Sequence, residues 1–362
     1  MPVRALGRRE RLLLIVAVAV TAVSGVLSAI GANAVLIFVI SGVALALLAA
    51  MVGQATEQLG ERLGPGATGV LQSALGNLPE LFVSIFALRE GTAIGVTVVQ
   101  ATIVGSVLGN SLLVLGLAFF VGGLRHGTQR FASEPPRMIA SLTLLAVAAL
   151  AVPTLAAGLH TPAAAHTGAL SIACAVVLLA VFIASIPFSL SGGPSGVPTP
   201  EIEADAAAAH WPLWLAAVIL AGAGVGAAFV SDWFVSALTP AITTLHISAA
   251  FTGLVIVAIA GNAVENFVGV QLAARNKPDY AISVILNSSL QVALGLTPVL
   301  VLLSFVLGGA HLTLVLPGLF VAALALTAIL SAIVIYDGES TWLEGMALMG
   351  LYGIVAAAFW WG

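Results

Sequence analysis

The sequence predicts an all-α polytopic membrane protein of about eleven transmembrane helices, with one N-terminal helix and two inverted five-helix repeats. Three observations predict this fold class. Of the 362 residues, 60% are hydrophobic and 7% are charged, whereas soluble proteins carry about 25% charged residues. Apolar runs of about twenty residues, long enough to cross a bilayer as helices, recur along the chain. The motif Gly-Asn-x-x-Glu occurs twice, at residues 76–80 and 261–265.

The predicted spans follow one another through short connectors. The first follows an arginine-rich tail, and we expect it to be retained, because its apolar stretch is longer than a usual signal-peptide core. The segments do not alternate with a period of two, so a β-barrel is excluded. The spans lie at about residues 12–31, 34–54, 66–89, 93–122, 137–157, 164–190, 212–234, 247–273, 280–307, 311–335 and 342–361.

The least hydrophobic connector divides the chain into halves. It runs from residue 191 to 210, is rich in Gly, Pro and Ser, and then carries Glu201, Glu203 and Asp205. Such a composition is typical of a solvated linker, which we place on the cytoplasmic side. The predicted organisation is a tail and first helix at residues 1–33, a five-helix repeat at 34–190, the acidic linker at 191–210 and a second five-helix repeat at 211–362.

The basic residues give the orientation. If the N-terminus lies in the cytoplasm and the spans alternate sides, Arg89 is the one of eleven basic residues that falls outside. Cytoplasmic loops of membrane proteins carry an excess of Lys and Arg, so this distribution favours a cytoplasmic N-terminus. The short acidic linker and the lack of a targeting tail favour a bacterial inner (plasma) membrane.

The odd number of helices in each repeat has a consequence for the repeated motif. With five helices per block, the second block enters the membrane inverted relative to the first, as in secondary transporters. Glu80 and Glu265 then lie on helices of opposite direction, each near the middle of its span. A pseudo-twofold axis in the membrane plane is expected to bring the two carboxylates together near the bilayer midplane.

Two carboxylates at that depth must each be neutralised by a proton or by a cation. An ionised carboxylate at the bilayer centre costs from about 3 to well over 10 kcal/mol. No basic partner lies in the apolar interior of the spans, since Arg89 and Arg275 lie nine and ten residues beyond the glutamates, at the membrane faces. Glu80 and Glu265 therefore have two stable states, one with both side chains protonated and one with both ionised around a divalent cation. Protons and Ca2+ then compete for the same oxygens, which indicates an exchanger.

Neighbouring residues supply further oxygens. Asn77 and Asn262 precede the glutamates by three residues and share their helical face, and an amide oxygen is a neutral Ca2+ ligand. Gly76, Gly261 and Pro79 weaken the helix, and a freed carbonyl that lines a cavity can act as a hard ligand. Six to eight oxygens suit Ca2+. Additional ligands are expected from Ser106, Ser288, Ser289 and Gln291.

Other polar residues in the spans have more than one interpretation. We expect packing or hydrogen-bonding roles for Gln100, Asn110, Ser111 and Asn287, as is usual for such residues in membrane helices. Glu57, near the end of the second span, is either a solvated helix end or a proton or cation gate at the cytoplasmic mouth. Asp232 lies near the outer end of its span, where we expect a solvated helix end rather than a gate.

The motifs resemble a known family. Residues 76–81 (Gly-Asn-Leu-Pro-Glu-Leu) and 86–89 (Phe-Ala-Leu-Arg) resemble the first α-repeat of the CAX-type Ca2+/H+ antiporters in the calcium/cation antiporter superfamily. Residues 261–265, 271–273 and 288–294 resemble the second repeat. The resemblance implies Ca2+ ligation by the motif glutamates and a translocation core made from both repeats. One departure is Asn266, where the family often has His.

The sequence thus predicts a secondary active transporter that exchanges Ca2+ for H+ by alternating access at a two-glutamate site. Alternatives are a Na+/Ca2+ exchanger, an H+ antiporter for another divalent cation and a passive channel. The catalytic motifs of an intramembrane enzyme are missing, so we expect neither an enzyme nor a cofactor, with Ca2+ as transported substrate. The expected partners are Ca2+, H+ and the bilayer, without nucleic acid, and a homo-oligomer is left open.

Overall fold

The chain is almost entirely helical in this computed structural model, which describes residues 6–63, 75–190 and 211–361. The start of the third predicted span and the acidic linker lie outside the described residues. Two-residue strands, β1 (Gln129–Arg130) and β2 (Glu339–Ser340), pair antiparallel. The helices are α1 Arg8–Ala29, α2 Ala34–Leu63, α3 Leu78–Arg89, α4 Ala93–His126, α5 Glu134–Gly158, α6 Thr167–Leu190, α7 Leu213–Leu245, α8 Ala249–Gly261, α9 Ala263–Ala274, α10 Pro278–Ser304, α11 Gly318–Val334 and α12 Trp342–Trp360, with a 3-10 turn at Pro162–His166.

The apolar helices agree with the predicted membrane fold. Among the described residues, eight helices are long and apolar enough to cross a membrane, and the bent pair of α8 and α9 makes a ninth. The described part of the third predicted span, α3, has 12 residues, and α11 has 17. Both are shorter than the roughly 20 residues of a full crossing, so the count of eleven spans stays a prediction.

Two predicted helix ends are wrong because polar residues do not stop these helices. α2 continues past residue 54 to Leu63, and α7 continues past residue 234 to Leu245. In α7, the hydroxyls of Thr243 and Thr244 donate to carbonyls four residues back in the same helix, at 2.9 and 2.8 Å. Such bonds satisfy the hydroxyls inside the helix. α7 therefore continues to Leu245 and is ended by His246, which has a left-handed backbone (φ 55°).

The tenth predicted span, 311–335, begins seven residues late. α11 starts after Pro317, and residues 310–317 are not helical. Side chains of other helices bind the backbone of this segment: the amide of Gln100 donates to the carbonyls of Thr313 and Val315, both at 3.1 Å. The hydroxyl of Ser171 accepts from the Leu314 amide at 2.9 Å. Gln100 therefore has the expected structural role.

The chain forms two compact units, and each takes segments from both halves of the sequence. The first comprises Met1–Phe86, Thr199–Ile247 and Ala260–Val264, and the second comprises Ala87–Pro198, Ser248–Ile259 and Glu265–Gly362. The predicted division into five-helix repeats stays a prediction.

In the first unit, α1, α2 and α7 pack together through small residues and aromatic rings. Phe38 of α2 stacks on Phe234 of α7 with ring centroids 4.6 Å apart. Gly25 of α1 leaves room for the ring of Trp233. The buried hydroxyls of Ser24 and Ser41 hydrogen-bond at 2.6 Å and join α1 to α2. Small residues at helix contacts allow this close packing in membranes.

In the second unit, α4 makes close backbone contacts with two other helices. A β-carbon on Gly105 would overlap the backbone of Leu254 in α8. Gly116 lies in the same way against Gly345 of α12. These glycines fix α4 as the central helix of the unit, because any larger residue would force the backbones apart.

Loops of the second unit gather at two opposite ends. At one end, the amide of Ala132 donates to the carboxylate of Asp279 at 2.7 Å, and β1 pairs with β2. At the other end, the amide of Ala310 donates to the carbonyl of Leu88 at 2.9 Å. The predicted alternation of sides assigns the first set of loops to the cytoplasm, and that assignment stays a prediction.

Candidate cation site

The first copy of the repeated motif begins a helix. Gly76 and Asn77 form a turn, and α3 starts at Leu78, so that Glu80 lies in the first helical turn. Glu80 is 1% exposed and Asn77 is buried as well. A negative charge near a helix N-terminus is stabilised by the helix dipole. Gly76 thus lies in a turn just before α3, and the carboxylate of Glu80 lies near the end of α3 at which a negative charge is favoured.

The second copy has the same local architecture. α8 ends at Gly261, Asn262 occupies the break, and Glu265 lies in the first turn of α9. The two helices meet at a bend of 64°. Asn262 is buried, while Glu265 is half-buried. In membrane proteins, broken helices are tolerated where they line a cavity or are enclosed by protein.

A contact within the first unit joins the two copies. A β-carbon built on Gly261 would overlap the carboxylate and γ-carbon of Glu80. The space beside this carboxylate therefore exists only because residue 261 lacks a side chain. The structure thus brings the break of the second copy to the glutamate of the first, within one compact unit.

The second unit holds the polar cluster of α4 and α10. The amide of Asn110 donates to the hydroxyl of Ser288 at 2.9 Å, and the hydroxyls of Ser111 and Ser289 lie 3.1 Å apart. All four residues are buried. These bonds give Asn110 and Ser111 the expected structural role, since they join two helices. A serine oxygen has two lone pairs, so a serine hydroxyl in such a bond can in general also bind a cation.

Irregular helix turns adjoin this cluster. α4 contains a π-helical turn at Gly109–Val114, and α10 contains one at Val292–Leu296. A third lies at Thr252–Val257 in α8. Such turns occur frequently at functional sites. Of the other predicted ligands, Ser106 is buried on α4 and Gln291 is half-buried at the end of the regular part of α10.

The predicted ligands therefore fall into two groups. Asn77, Glu80, Gly261 and Asn262 belong to the first unit, whereas Glu265 and the serines belong to the second. In the described part of the chain, three or more His, Cys, Asp or Glu side chains do not come together as a metal site. A cation site here would need neutral oxygens beside carboxylates. That both glutamates hold one ion stays a prediction.

Two other acidic residues lie inside helices rather than at their ends. Glu57 is half-buried within α2, which continues for six further residues. Asp232 is exposed on α7 and lines a cleft with the rings of Phe82, Phe86 and Phe229. Phe82 and Glu80 are two residues apart on α3 and so project from different faces. The cleft is therefore not the surface onto which Glu80 projects.

One buried polar residue of α3, Ser84, lies outside the repeated motif. Ser84 is 1% exposed and follows Glu80 by four residues, on the same helical face. This spacing is the signal that would have identified it.

The chain resembles transporters over nearly its whole length. Residues 33–191 and 215–361 match the family model described as sodium/calcium exchanger protein. The chain is 37% identical over 341 residues to a Ca(2+)/H(+) antiporter of Synechocystis sp., covering 89% of this chain and 90% of that protein. It is 34% identical over 329 residues to the Ca(2+)/H(+) antiporter ChaA of Bacillus subtilis, covering 89% and 91%. These relatives are transporters and not enzymes.

Solved structures show the same fold. The structure of native YfkE superposes with a TM-score of 0.81 at 30% identity, covering 96% of this chain and 99% of that one. A structure of an H+/Ca2+ exchanger CAX gives a TM-score of 0.71 at 16% identity, covering 97% and 92%. The predicted all-α transporter architecture is thereby confirmed.

Proposed function

Because this chain belongs to the sodium/calcium exchanger protein family, we propose that it is a secondary active transporter that exchanges Ca2+ for protons. The observation that carries the proposal is the carboxylate of Glu80, which is 1% exposed and lies against Gly261 of the second motif copy. The names of the relatives from Synechocystis sp. and Bacillus subtilis support the choice of ions.

The exchange follows from the cost of a buried charge. An ionised carboxylate inside a membrane must be neutralised by a proton or by a cation. A proton on the Glu80 oxygen occupies the lone pair that a cation would use, so the two ligands exclude each other. We assign the same role to Glu265, which holds the corresponding position in the second copy.

The remaining ligands are neutral oxygens. In this proposal Asn77 and Asn262 contribute amide oxygens, and Gly76 and Gly261 contribute carbonyls at the two helix breaks. A hard divalent ion such as Ca2+ takes six to eight oxygen ligands, more than two carboxylates supply. Further oxygens come from the remaining members of the set, Ser106, Ser288, Ser289 and Gln291.

Coupling arises because an empty site is expensive to move. Two ionised carboxylates without a cation repel each other in a medium of low dielectric constant. The protein therefore changes the side to which the site opens only when it carries Ca2+ or protons, which is alternating access. We propose that Glu57, half-buried on α2, acts as a proton or cation gate on the cytoplasmic side.

The protein is an integral membrane protein, as its apolar helices and relatives require. We place it in a bacterial inner membrane with the N-terminus in the cytoplasm. The basic residues of the loops support this orientation.

The test is Ca2+ uptake into proteoliposomes under an imposed pH gradient with Na+ omitted. The pH gradient should drive Ca2+ uptake by the parent protein. Glu80→Gln and Glu265→Gln should each abolish that uptake. Glu339→Gln is the matched control, because Glu339 forms a surface ion pair with Arg130 at 3.0 Å and should leave uptake unchanged. Uptake that requires a Na+ gradient would favour a sodium-coupled exchanger, and Ca2+ flux without proton movement would indicate a channel.

A further inference from the structure

The hydroxyl of Ser84 lies one helical turn beyond Glu80. Residues four apart on a helix share a face, and both side chains are 1% exposed. Ser84 is therefore enclosed on the face from which the Glu80 side chain projects.

The Ser84 hydroxyl has no hydrogen-bond partner among the residues that the structure describes. Serines in helices commonly donate to the carbonyl four residues back. Ser141 and Ser171 do so in this protein, at 2.8 and 2.7 Å. A buried polar group without a protein partner needs an explanation, such as a bound water or ion.

The geometry of the helix indicates on which side of Ser84 such a water or ion would lie. Side chains on a helix tilt towards its N-terminus. The short Ser84 side chain therefore leans towards the turn that contains Glu80. A water or cation bound at Glu80 on this face would therefore lie on the side towards which the Ser84 hydroxyl leans.

The second motif copy lacks this hydroxyl. The residue four positions after Glu265 is Gly269, and a β-carbon there would overlap the side chain of Ile285. The corresponding place is thus filled by a hydrocarbon group. The two copies differ at this position in both composition and available space.

We infer that Ser84 determines cation affinity and selectivity by contributing its hydroxyl oxygen to the ligand shell of the Ca2+ held by Glu80. This inference rests on the proposed function, and it adds an oxygen that the second copy cannot supply. A hydroxyl is a hard ligand of the kind that Ca2+ prefers. The ligand shell is accordingly asymmetric between the two copies.

The experiment replaces the oxygen of Ser84 by sulfur in the full-length protein. The chain has one cysteine, Cys174, so Cys174→Ser provides the background and should bind Ca2+ like the parent. Isothermal titration of the purified protein with Ca2+ alone and with Cd2+ alone gives both affinities. Sulfur prefers soft cations, so Ser84→Cys should weaken Ca2+ binding about tenfold and strengthen Cd2+ binding about tenfold, each roughly the effect of one lost or gained ligand contact.

Two further variants keep the test informative if one protein is unstable. Ser84→Thr retains the hydroxyl and should bind Ca2+ within about threefold of the parent, whereas Ser84→Ala should lose about tenfold. Ser283→Ala is the matched control, because Ser283 is another buried serine whose hydroxyl has no partner among the described residues. It should not change Ca2+ affinity.

The outcomes separate this inference from the proposed function. Unchanged Ca2+ affinity in Ser84→Cys, equal weakening of both metals, or an equal loss in Ser283→Ala would overturn the role of Ser84. In each of those cases, loss of Ca2+ binding in Glu80→Gln would leave the proposed function intact. Retained Ca2+ binding in Glu80→Gln would remove the proposed function itself.

Discussion

The carboxylate of Glu80 rests against the bare α-carbon of Gly261, so the glutamate of one motif copy occupies space left by the glycine of the other. The contact depends on the absence of a single methyl group. It makes residue 261 the most direct place to disturb the proposed site without removing an ionisable group.

Gly261→Ala should therefore displace the Glu80 side chain and reduce Ca2+ affinity by at least about tenfold, as expected for a lost contact to a charged ligand. Titration of the purified variant with Ca2+ measures the effect. Gly222→Ala is the matched control, because a β-carbon at Gly222 meets no atom within 4 Å. Parental affinity in Gly261→Ala would show that Glu80 does not need this space.

Protons should compete with Ca2+ for the same carboxylates. Lowering the pH on the side from which Ca2+ is taken up should raise KM for Ca2+ and change Vmax less, because metal ligands must be deprotonated. Where the carboxyls titrate, competition by two protons raises KM up to about a hundredfold per pH unit and competition by one about tenfold. A KM independent of pH would contradict a shared site.

The hydrogen bonds between α4 and α10 should couple the stabilities of two variants. Asn110→Ala and Ser288→Ala should each lower the free energy of unfolding. The double variant should lose less than the sum, by about 0.6 kcal/mol, a typical coupling for such bonds in membranes. Unfolding in mixed detergent measures all three variants and the parent. Strict additivity would mean that the 2.9 Å contact carries no net energy.

Gln100→Leu should release the segment that precedes α11. The variant loses both bonds to Thr313 and Val315 and leaves two half-buried carbonyls with fewer donors, at a cost of at most about 1–3 kcal/mol each. Hydrogen exchange should accelerate in residues 309–317, and Tm should fall.

Thr97→Val is the control for this variant, because the Thr97 hydroxyl donates only to a carbonyl of its own helix, at 3.0 Å. Unchanged exchange in residues 309–317 of Gln100→Leu would show that other contacts hold the segment.

The helical fold and the broken motif helices could be predicted from the sequence because their causes are local. Apolar length determines which segments form spans, and Gly76 and Gly261 mark the breaks that α3 and α9 follow. The repetition of the motif likewise selects Glu80, which is buried in the structure.

Features that depend on distant partners could not be predicted. The segment before α11 lies within a predicted span, yet it is not helical, and Gln100 and Ser171 from earlier helices bind its backbone. The end of α7 was misplaced for a local reason, because composition alone does not show that the hydroxyls of Thr243 and Thr244 bond within their own helix. Ser84 lacks a repeated counterpart, so comparison of the two motif copies does not identify it.

The π-helical turn in α4 has a consequence for tolerated changes in chain length. One residue more in a turn rotates the helix beyond it by about 100°. The close approach of Gly105 to Leu254 lies before the turn, and that of Gly116 to Gly345 lies within the helix after it. Deleting one residue from Gly109–Val114 would leave the composition of α4 nearly unchanged, yet it would turn one glycine contact away from its neighbour.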